Sequence, residues 1–504
     1  MADEIKQKLP GLVLLAFSTF ISCVPAAFTQ VISLDIMLDL NSFPGNQYAW
    51  SFPLFVAGEC AAMGMCAGII DRAGRRNPYL LGSILFILAT AGCALSPDMT
   101  IFNVFRVIQG IGTGIIIVTC IAQIYFDVPD RKERYMANGI MSAGFGFGML
   151  FGLFAGKAMV DTIGWETAFW GMAVLQAIVT YPCMQVLSNG KRSEMKSDIL
   201  GAVILTIFIG FLVFFIEKLY LDWSMNLKMI VLSLVFLVML LLLLIVVEML
   251  HPKSMFQRKV ENSRLVKVSM VFILILGVFD MAGVGSMVKI ALFTYQMTVL
   301  EAAPYFIVMV LGAAITAVAI SKSIDRTGHL PWLLLSVILS PIALLSMHLV
   351  SQDDPTFAFA GHLFLLGLAI GCLVSMLNAT IQNRTNENNN GAYMSFAIMA
   401  RTAALWLGYN FYQSRVDDLM REKLGDIIAY WNQILPVPLP SDSSLANLLL
   451  TPLMDVVKMI PGLTDDIAKI YAEGVADGFT YAAIAIVVIG LPTALTLLRR
   501  DKTL

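Results

Sequence analysis

Runs of about 20 apolar residues recur from one end of this sequence to the other. Nothing else in it limits the possible folds so severely. A helix of that length crosses the hydrocarbon of a bilayer while bonding its own backbone N–H and C=O groups, which open strands and loops cannot do there. Composition carries the same message: 58% of the residues are hydrophobic and 13% charged, against about 25% charged in an average soluble domain. The runs and the turn residues between them predict fourteen helices, over 11–34, 47–70, 78–96, 99–124, 136–160, 165–187, 198–219, 227–249, 268–290, 301–321, 331–350, 356–379, 391–413 and 475–498. The expected fold class is an all-α polytopic membrane protein. The polar stretch Met1–Lys8 leads into the first run without a small-residue cleavage site. It is read as part of a retained first span and not as a cleaved signal peptide.

Basic residues then set an expected orientation. Lys6, Lys8, Arg72, Arg75, Arg76, Arg131, Lys132, Arg134, Lys191, Arg192, Lys196, Lys253, Arg258, Lys259, Lys322, Arg326, Arg384, Arg499 and Arg500 all fall on one side of the fourteen-span topology. The short connections on the other side carry none. The positive-inside rule makes the basic side cytoplasmic, with both termini there. A repeat supports a two-part organisation: Ile70-Asp71-Arg72-Ala73-Gly74-Arg75 after the second span parallels Ile324-Asp325-Arg326-Thr327-Gly328-His329 after the tenth. The expected division is a six-helix bundle over 1–190, an inserted helix pair with its linkers over 191–266, and a second six-helix bundle over 267–504. Parallel six-helix repeats point to a secondary transporter with its site near the midplane between them. The long connection 414–474 contains Leu435-Pro436-Val437-Pro438-Leu439-Pro440 between stretches, Val416–Trp431 and Leu463–Val475, that look amphipathic and helical. It is either a structured cap or a docking surface.

The seven cysteines all lie in predicted spans, the four histidines are scattered, and no Gly-x4-Gly-Lys-Ser/Thr sequence occurs. No metal site, nucleophile–base arrangement or ATP-binding loop is expected. Charges inside spans are therefore the informative residues, because each is expensive in lipid and must face a polar interior. Arg106 is followed by Gln109 and by Gly110, Gly112 and Gly114, which let a neighbouring helix come close. Its alternatives are a role in coupling and a structural role on backbone carbonyls. Glu59, in the middle of the second span, is either a proton carrier or one half of a fixed ion pair. A lone carboxylate held away from water resists ionising, so it can load and release a proton near neutral pH. Asp280, midway along the ninth span, is a substrate or proton candidate, and Lys289 is about 13 Å further along the helix. Arg401 could pair with Asp280 or Glu59, or bind an anionic substrate group. Gln109 is a second substrate-binding candidate.

Several motifs resemble those of the major facilitator superfamily. Asp71-Arg72-x-Gly74-Arg75-Arg76 resembles its loop signature, and Arg106-x-x-Gln109-Gly110-x-Gly112 a signature of its proton-driven members. Gly144, Gly148, Gly152 and Gly156, every fourth residue of the fifth span, resemble its antiporter signature. Trp165, Ala168 and Phe169, with Asp198–Gly201, Trp223 and Glu248, resemble the fourteen-span drug:proton antiporters. The sequence departs from the pattern at Ala67, where the loop signature begins with Gly, at Leu153 in place of Pro, at Glu166, and near Pro25 in place of an aspartate. The resemblance implies the superfamily's fold, two six-helix bundles plus two inserted helices. It implies that Arg106 takes part in coupling proton movement to substrate movement, and the carboxylates Glu59 and Asp280 are the candidates to carry the proton beside it. It implies that Asp71, Arg72, Gly74 and Arg75 latch the two halves on the cytoplasmic side.

The expected function is proton-coupled export of amphipathic organic compounds by alternating access across a cell (inner) membrane. The expected partners are the lipid bilayer, a small amphipathic organic substrate, protons and, through 414–474, a periplasmic adaptor. No nucleic acid, metal or cofactor is expected; the proton gradient would supply the energy. Two alternatives stand beside this reading. One is an importer or facilitator of an anionic metabolite or lipid, with Arg106 and Arg401 as a carboxylate clamp. The other is the inner-membrane subunit of a tripartite efflux complex.

Overall fold

The computed structural model describes residues 2–42, 50–188, 199–221, 227–250, 264–295, 297, 299–347, 356–385, 390–433 and 462–499. Within these, the side chains of a few helix residues, Asp71 and Arg72 among them, fall outside the description. All the regular structure described is helical. The chain begins with α1 (Ala2–Val31), the short α2 (Ser33–Asp39), α3 (Ser51–Ala73), α4 (Arg76–Ala94), α5 (Met99–Asp127), α6 (Glu133–Ile163) and α7 (Trp165–Val186). Two further helices follow, α8 (Ile199–Leu221) and α9 (Leu227–Leu250). Next come α10 (Arg264–Ile275) and α11 (Ala282–Phe293), joined by a π-helical turn at Leu276–Met281, then α12 (Val299–Thr327), α13 (Leu330–Ser346) and α14 (Thr356–Arg384). The last elements are α15 (Asn390–Trp431), α16 (Leu463–Ala485) and α17 (Leu491–Leu495).

Ten helical segments among the described residues are long and apolar enough to cross a membrane, and α3, α8 and α13 hold shorter apolar stretches. Sequence chemistry sets the ends. Asp98 caps α5 by accepting from the Ile101 N–H at 2.9 Å. Gly74 and Gly164 end α3 and α6 at φ of 78° and 80°, a backbone region that favours glycine.

Helix packing then follows the small residues. In the first half, α1 lies against α6, α3 and α4 flank α5, and α4 touches α7. In the second, α14 packs between α12 and α13, and α15 lies against α16 and the π-helical turn. The two sets meet where α3 crosses α15 and where α6 meets α12 and α14. Helix α8 packs on α3, with Thr206 Oγ1 donating to the Ala61 carbonyl at 3.1 Å. Helix α9 packs on α8 and leaves most of its apolar side chains exposed.

The glycines of α6 explain its fit to α1. A Cβ on Gly144, Gly148 or Gly152 would run into the carbonyl oxygens of Ala16, Phe20 and Val24, and one on Gly156 would lie 3.0 Å from the Phe28 ring. The stripe lets the two backbones touch. The face of α6 turned away from α1, from Ser142 to Leu153, is thereby left to line a cavity.

The described residues of the stretch expected as a connection at 414–474 are largely helical. Helix α15 runs unbroken from Asn390 through its membrane-depth residues to Trp431, and α16 starts at Leu463. Their outer halves form a hairpin held by Arg415–Asp477 at 2.9 Å and Lys423–Glu473 at 2.5 Å, with Gly474 packed on Val416. The Pro-rich segment 435–440 lies outside the described residues.

Candidate transport site

A cavity of about 310 Å³ lies between the two helix sets. It is lined by α6 on one side and by α11, α12, α14 and α15 on the other, with Phe52 of α3 and Ala27 and Gln30 of α1 at its margin. Apart from Gln30, Ser142, Ser375, Arg401 and Tyr409, its lining residues are apolar or glycine, and Met136, Met149, Met281 and Met309 are among them. Methionines give such a wall the adaptability expected of a site that accepts varied shapes.

Arg401 is the charged residue of that wall among the described residues. It is 3% exposed, its guanidinium carbon lies 5.0 Å from the centre of the Phe145 ring, and its buried Nε and Nη2 have no hydrogen-bond partner among the described residues. Behind it, across the meeting of α3 and α15, sits Glu59. This carboxylate is 5% exposed, its Oε1 is without a hydrogen-bond partner among the described residues, and it lies within electrostatic reach of Arg401. Glu59 lines a small side cavity that shares Phe52, Phe145, Met149 and Leu405 with the main one. Of the two partners that the sequence allows Arg401, the fold puts Glu59 beside it.

Arg106 is fully buried, but off the cavity wall. Its Nη1 donates to Gln109 Oε1 at 2.6 Å and to the Pro25 carbonyl at 3.3 Å, its Nη2 to Thr29 Oγ1 at 3.1 Å, and its Nε to the Ser51 carbonyl at 3.4 Å. The Phe55 ring lies 4.4 Å beneath it. Gln109 Nε2 donates onward to Thr90 Oγ1 at 2.8 Å. This network ties α1, α3, α4 and α5 together, and Gln109 is likewise absent from the cavity wall. The glycines after Arg106 serve the same packing. A Cβ on Gly110 or Gly114 would meet the carbonyls of Phe55 and Glu59, and one on Gly112 would lie 2.6 Å from the Phe86 nitrogen.

Asp280 lies in the π-helical turn and is fully buried, but its neighbours are Ser340 of α13 and Tyr412 of α15 and not the cavity. Arg106, Glu59 and Asp280 are thus not one cluster; Glu59 and Arg401 are the charged groups that the fold brings within electrostatic reach of each other.

At the face of the molecule that carries the N-terminus, the halves are bolted together. Arg134 donates to the Gln382 carbonyl at 3.4 Å and to Asn383 Oδ1 at 3.1 Å. Asn138 Nδ2 donates to Gln382 Oε1 at 2.8 Å, and Gln382 Nε2 to the Ile121 carbonyl at 3.1 Å. Lys132 pairs with Asp325, and Tyr135 OH lies 3.2 Å from His329 Nε2. This contact joins the α5–α6 connection to the α12–α13 connection and the end of α14. Of the latch residues expected at Asp71, Arg72, Gly74 and Arg75, Arg75 stacks 3.5 Å over Phe126, within the first half, and the Asp71 and Arg72 side chains lie outside the description. Reading Arg131, Lys132 and Arg134 only as topogenic charge hid the bolt. Its signal was the amide pair Gln382-Asn383 just before Arg384 at the end of an apolar run.

A second group also escaped the sequence. Lys289 Nζ donates to Tyr409 OH at 3.2 Å and to Gln413 Oε1 at 3.3 Å, beside the Tyr471 ring. Tyr409 sits eight residues beyond Arg401 on α15 and lines the cavity as well.

Membrane-length helices that close an apolar chamber between two bundles, with a bolt at one face, define a carrier that moves small molecules by alternating access. Comparison places the chain more closely. The model of the Major Facilitator Superfamily matches residues 13–198 and 195–409, and the chain belongs to that family. Multidrug resistance protein 3 of Bacillus subtilis (strain 168) is 25% identical over 407 residues, covering 78% of this chain and 76% of that one. An uncharacterized MFS-type transporter of Mycobacterium tuberculosis (strain ATCC 25618 / H37Rv) is 24% identical over 479 residues, 94% of this chain and 66% of its own length. Among solved structures, a bacterial homolog of the human lysosomal transporter Spinster, inward-facing and unoccupied, superposes with a TM-score of 0.62 at 14% identity, covering 98% of this chain and 99% of that one. The protein is a secondary transporter of this superfamily.

Proposed function

We propose that this transporter exports amphipathic organic compounds of the drug type and exchanges them for protons, with Glu59 as the proton carrier. The observation that carries the reading is the apolar, methionine-bearing cavity whose charged wall residue, Arg401, has a buried carboxylate behind it. A large apolar surface with few fixed polar contacts binds by shape and area and tolerates many ligands. The name of the Bacillus relative supports drug export. In the proposed arrangement the basic loops face the cytoplasm, both termini lie there, and the protein sits in the cell (inner) membrane. The chain then has fourteen spans: two six-helix halves, 1–190 and 267–504, with α8 and α9 inserted between them. The bolt around Arg134 and Gln382 keeps the cavity closed to the cytoplasm. Arg106 with Gln109 holds α1, α3, α4 and α5 in one frame behind the site, and Asp280 is a second protonatable group inside the other half.

In proteoliposomes with an imposed pH gradient, a fluorescent lipophilic amine should move in the direction opposite to the proton. Glu59→Gln should abolish the response to the gradient while leaving the protein folded. Movement indifferent to the gradient in the unmodified protein overturns proton exchange.

A clamp of Arg106 and Arg401 around an anionic substrate has less support, because Arg106 is off the cavity wall. Docking of a periplasmic adaptor draws support from the hairpin of α15 and α16, which carries α15 about 18 residues, or about 27 Å, beyond its expected span. Deletion of 436–460 should then release a co-expressed adaptor without unfolding the transporter.

A further inference from the structure

Glu59 and Arg401 form a pair with an electrical consequence. With Glu59 ionised the pair is neutral; with Glu59 protonated it is cationic. Arg401 lines the cavity, its buried Nε and Nη2 lack a hydrogen-bond partner among the described residues, and Glu59 lines the side cavity that shares Phe52, Phe145, Met149 and Leu405 with the main one. The charged and titratable groups around Glu59 are few among the described residues: Arg401 from α15, Cys23 from α1 and Cys60 on its own helix. Helices α5, α6 and α8 bring Thr113, Phe145 and Thr206 to the same region. Among the described residues, nothing else charged there blurs the change in sign.

We propose that this pair makes the coupling depend on the charge of the substrate, so that amphipathic cations exchange with a proton whereas amphipathic monoanions, taken by Arg401, travel together with one. The inference rests on the proposed drug-carrying cavity and goes beyond it, because it adds a second activity: proton-linked carriage of organic anions. The argument is linkage. A cation in the cavity is held better beside the neutral pair than beside the cationic one, so its binding expels the proton from Glu59 to water. An anion that bonds to the Arg401 guanidinium at the cavity wall replaces Glu59 as its counter-charge, and Glu59 takes a proton from water in compensation. By reciprocity, the proton weakens binding of the cation and strengthens binding of the anion by the same factors. Binding of each should therefore change by up to about tenfold per pH unit, in opposite directions, where Glu59 titrates.

The test uses the full chain in nanodiscs in weakly buffered solution, with empty nanodiscs as the control. Tetraphenylphosphonium is the cationic probe and 8-anilinonaphthalene-1-sulfonate the anionic one. A pH indicator should report proton release on binding the first and proton uptake on binding the second. Glu59→Gln, which fixes the pair in its cationic form, should silence both proton signals, with the anion still bound and the cation bound more weakly than by the unmodified protein. Arg401→Gln should lose the anion selectively, and because the sign of the signal is read in the unmodified protein, a failure of that variant to fold does not affect the result. Failure of the cation to bind overturns the drug-carrying cavity itself. Cation binding with proton release, accompanied by no anion binding or by anion binding without proton uptake, overturns only the charge-dependent coupling.

Discussion

Arg106 shows how a buried cation can be retained without lining the site. A desolvated guanidinium must bond nearly all its donors, because each unmade bond costs about 1–3 kcal/mol. Here the acceptors include the carbonyls of Pro25 and Ser51 and the side chains of Thr29 and Gln109. A lysine at this place keeps the charge but cannot reach divergent acceptors with one ammonium. Arg106→Lys should therefore lower the melting temperature in detergent by several degrees, as should Gln109→Leu, and the double variant should lose less than the sum, because both belong to one network. Additive losses would show that the two side chains act independently. The sequence made Arg106 conspicuous, since a charge in an apolar run is rare. It could not show that the guanidinium turns inward to α1 and α3 and away from the cavity, because that depends on which helices surround α5.

At the scale of an element, α6 has two jobs on two faces. Gly144, Gly148 and Gly152 lie against the α1 backbone, while Ser142, Phe145 and Met149 face the cavity. Gly148→Leu should push α1 and α6 apart and sharply reduce the yield of monodisperse protein. Gly146→Ala, where nothing lies within 4 Å of an added methyl group, should be tolerated. Equal yields from the two variants would refute the packing role of the stripe. The four-residue spacing was legible because helical geometry puts such residues on one face. The identity of α1 as the partner was not, since spacing describes one helix surface and says nothing of what meets it. The helices around 414–474 were readable as amphipathic segments. That α15 passes without interruption from Arg401 to Trp431 was not, because its polar outer half is kept helical by tertiary pairing with α16, at Arg415–Asp477 and Lys423–Glu473.

Across the whole molecule, the bolt between the halves is a small set of hydrogen bonds placed where the proposed cycle opens the carrier. Gln382 both accepts from Asn138 and donates to the Ile121 carbonyl. Each such bond contributes a net of about 0.5–1.5 kcal/mol. Gln382→Ala should therefore destabilise the closed arrangement by about 1–3 kcal/mol, shifting the ratio of states by roughly 5- to 150-fold. Spin labels placed at the exposed positions Arg131 and Lys322 should then report a longer distance in the variant. An unchanged distance distribution would mean that other contacts hold this face. The apolar cavity stays intact in that variant, so affinity for a lipophilic probe should change little beyond the shift in states.

The sequence by itself determined that the chain is a bundle of membrane helices, because in lipid every backbone group must be bonded within its own segment, and apolar length alone decides which segments qualify. Its paired loop motifs also carried the two-part plan of a superfamily transporter. Tertiary structure alone decided which charges meet. Glu59 and Arg401 are 342 residues apart in the chain, and Arg401 had Asp280 as an equal candidate until the crossing of α3 with α15 put Glu59 beside it and the π-helical turn directed Asp280 toward Ser340 and Tyr412. Electrostatic partnership falls off with distance through space, and a list of residues holds no such distances.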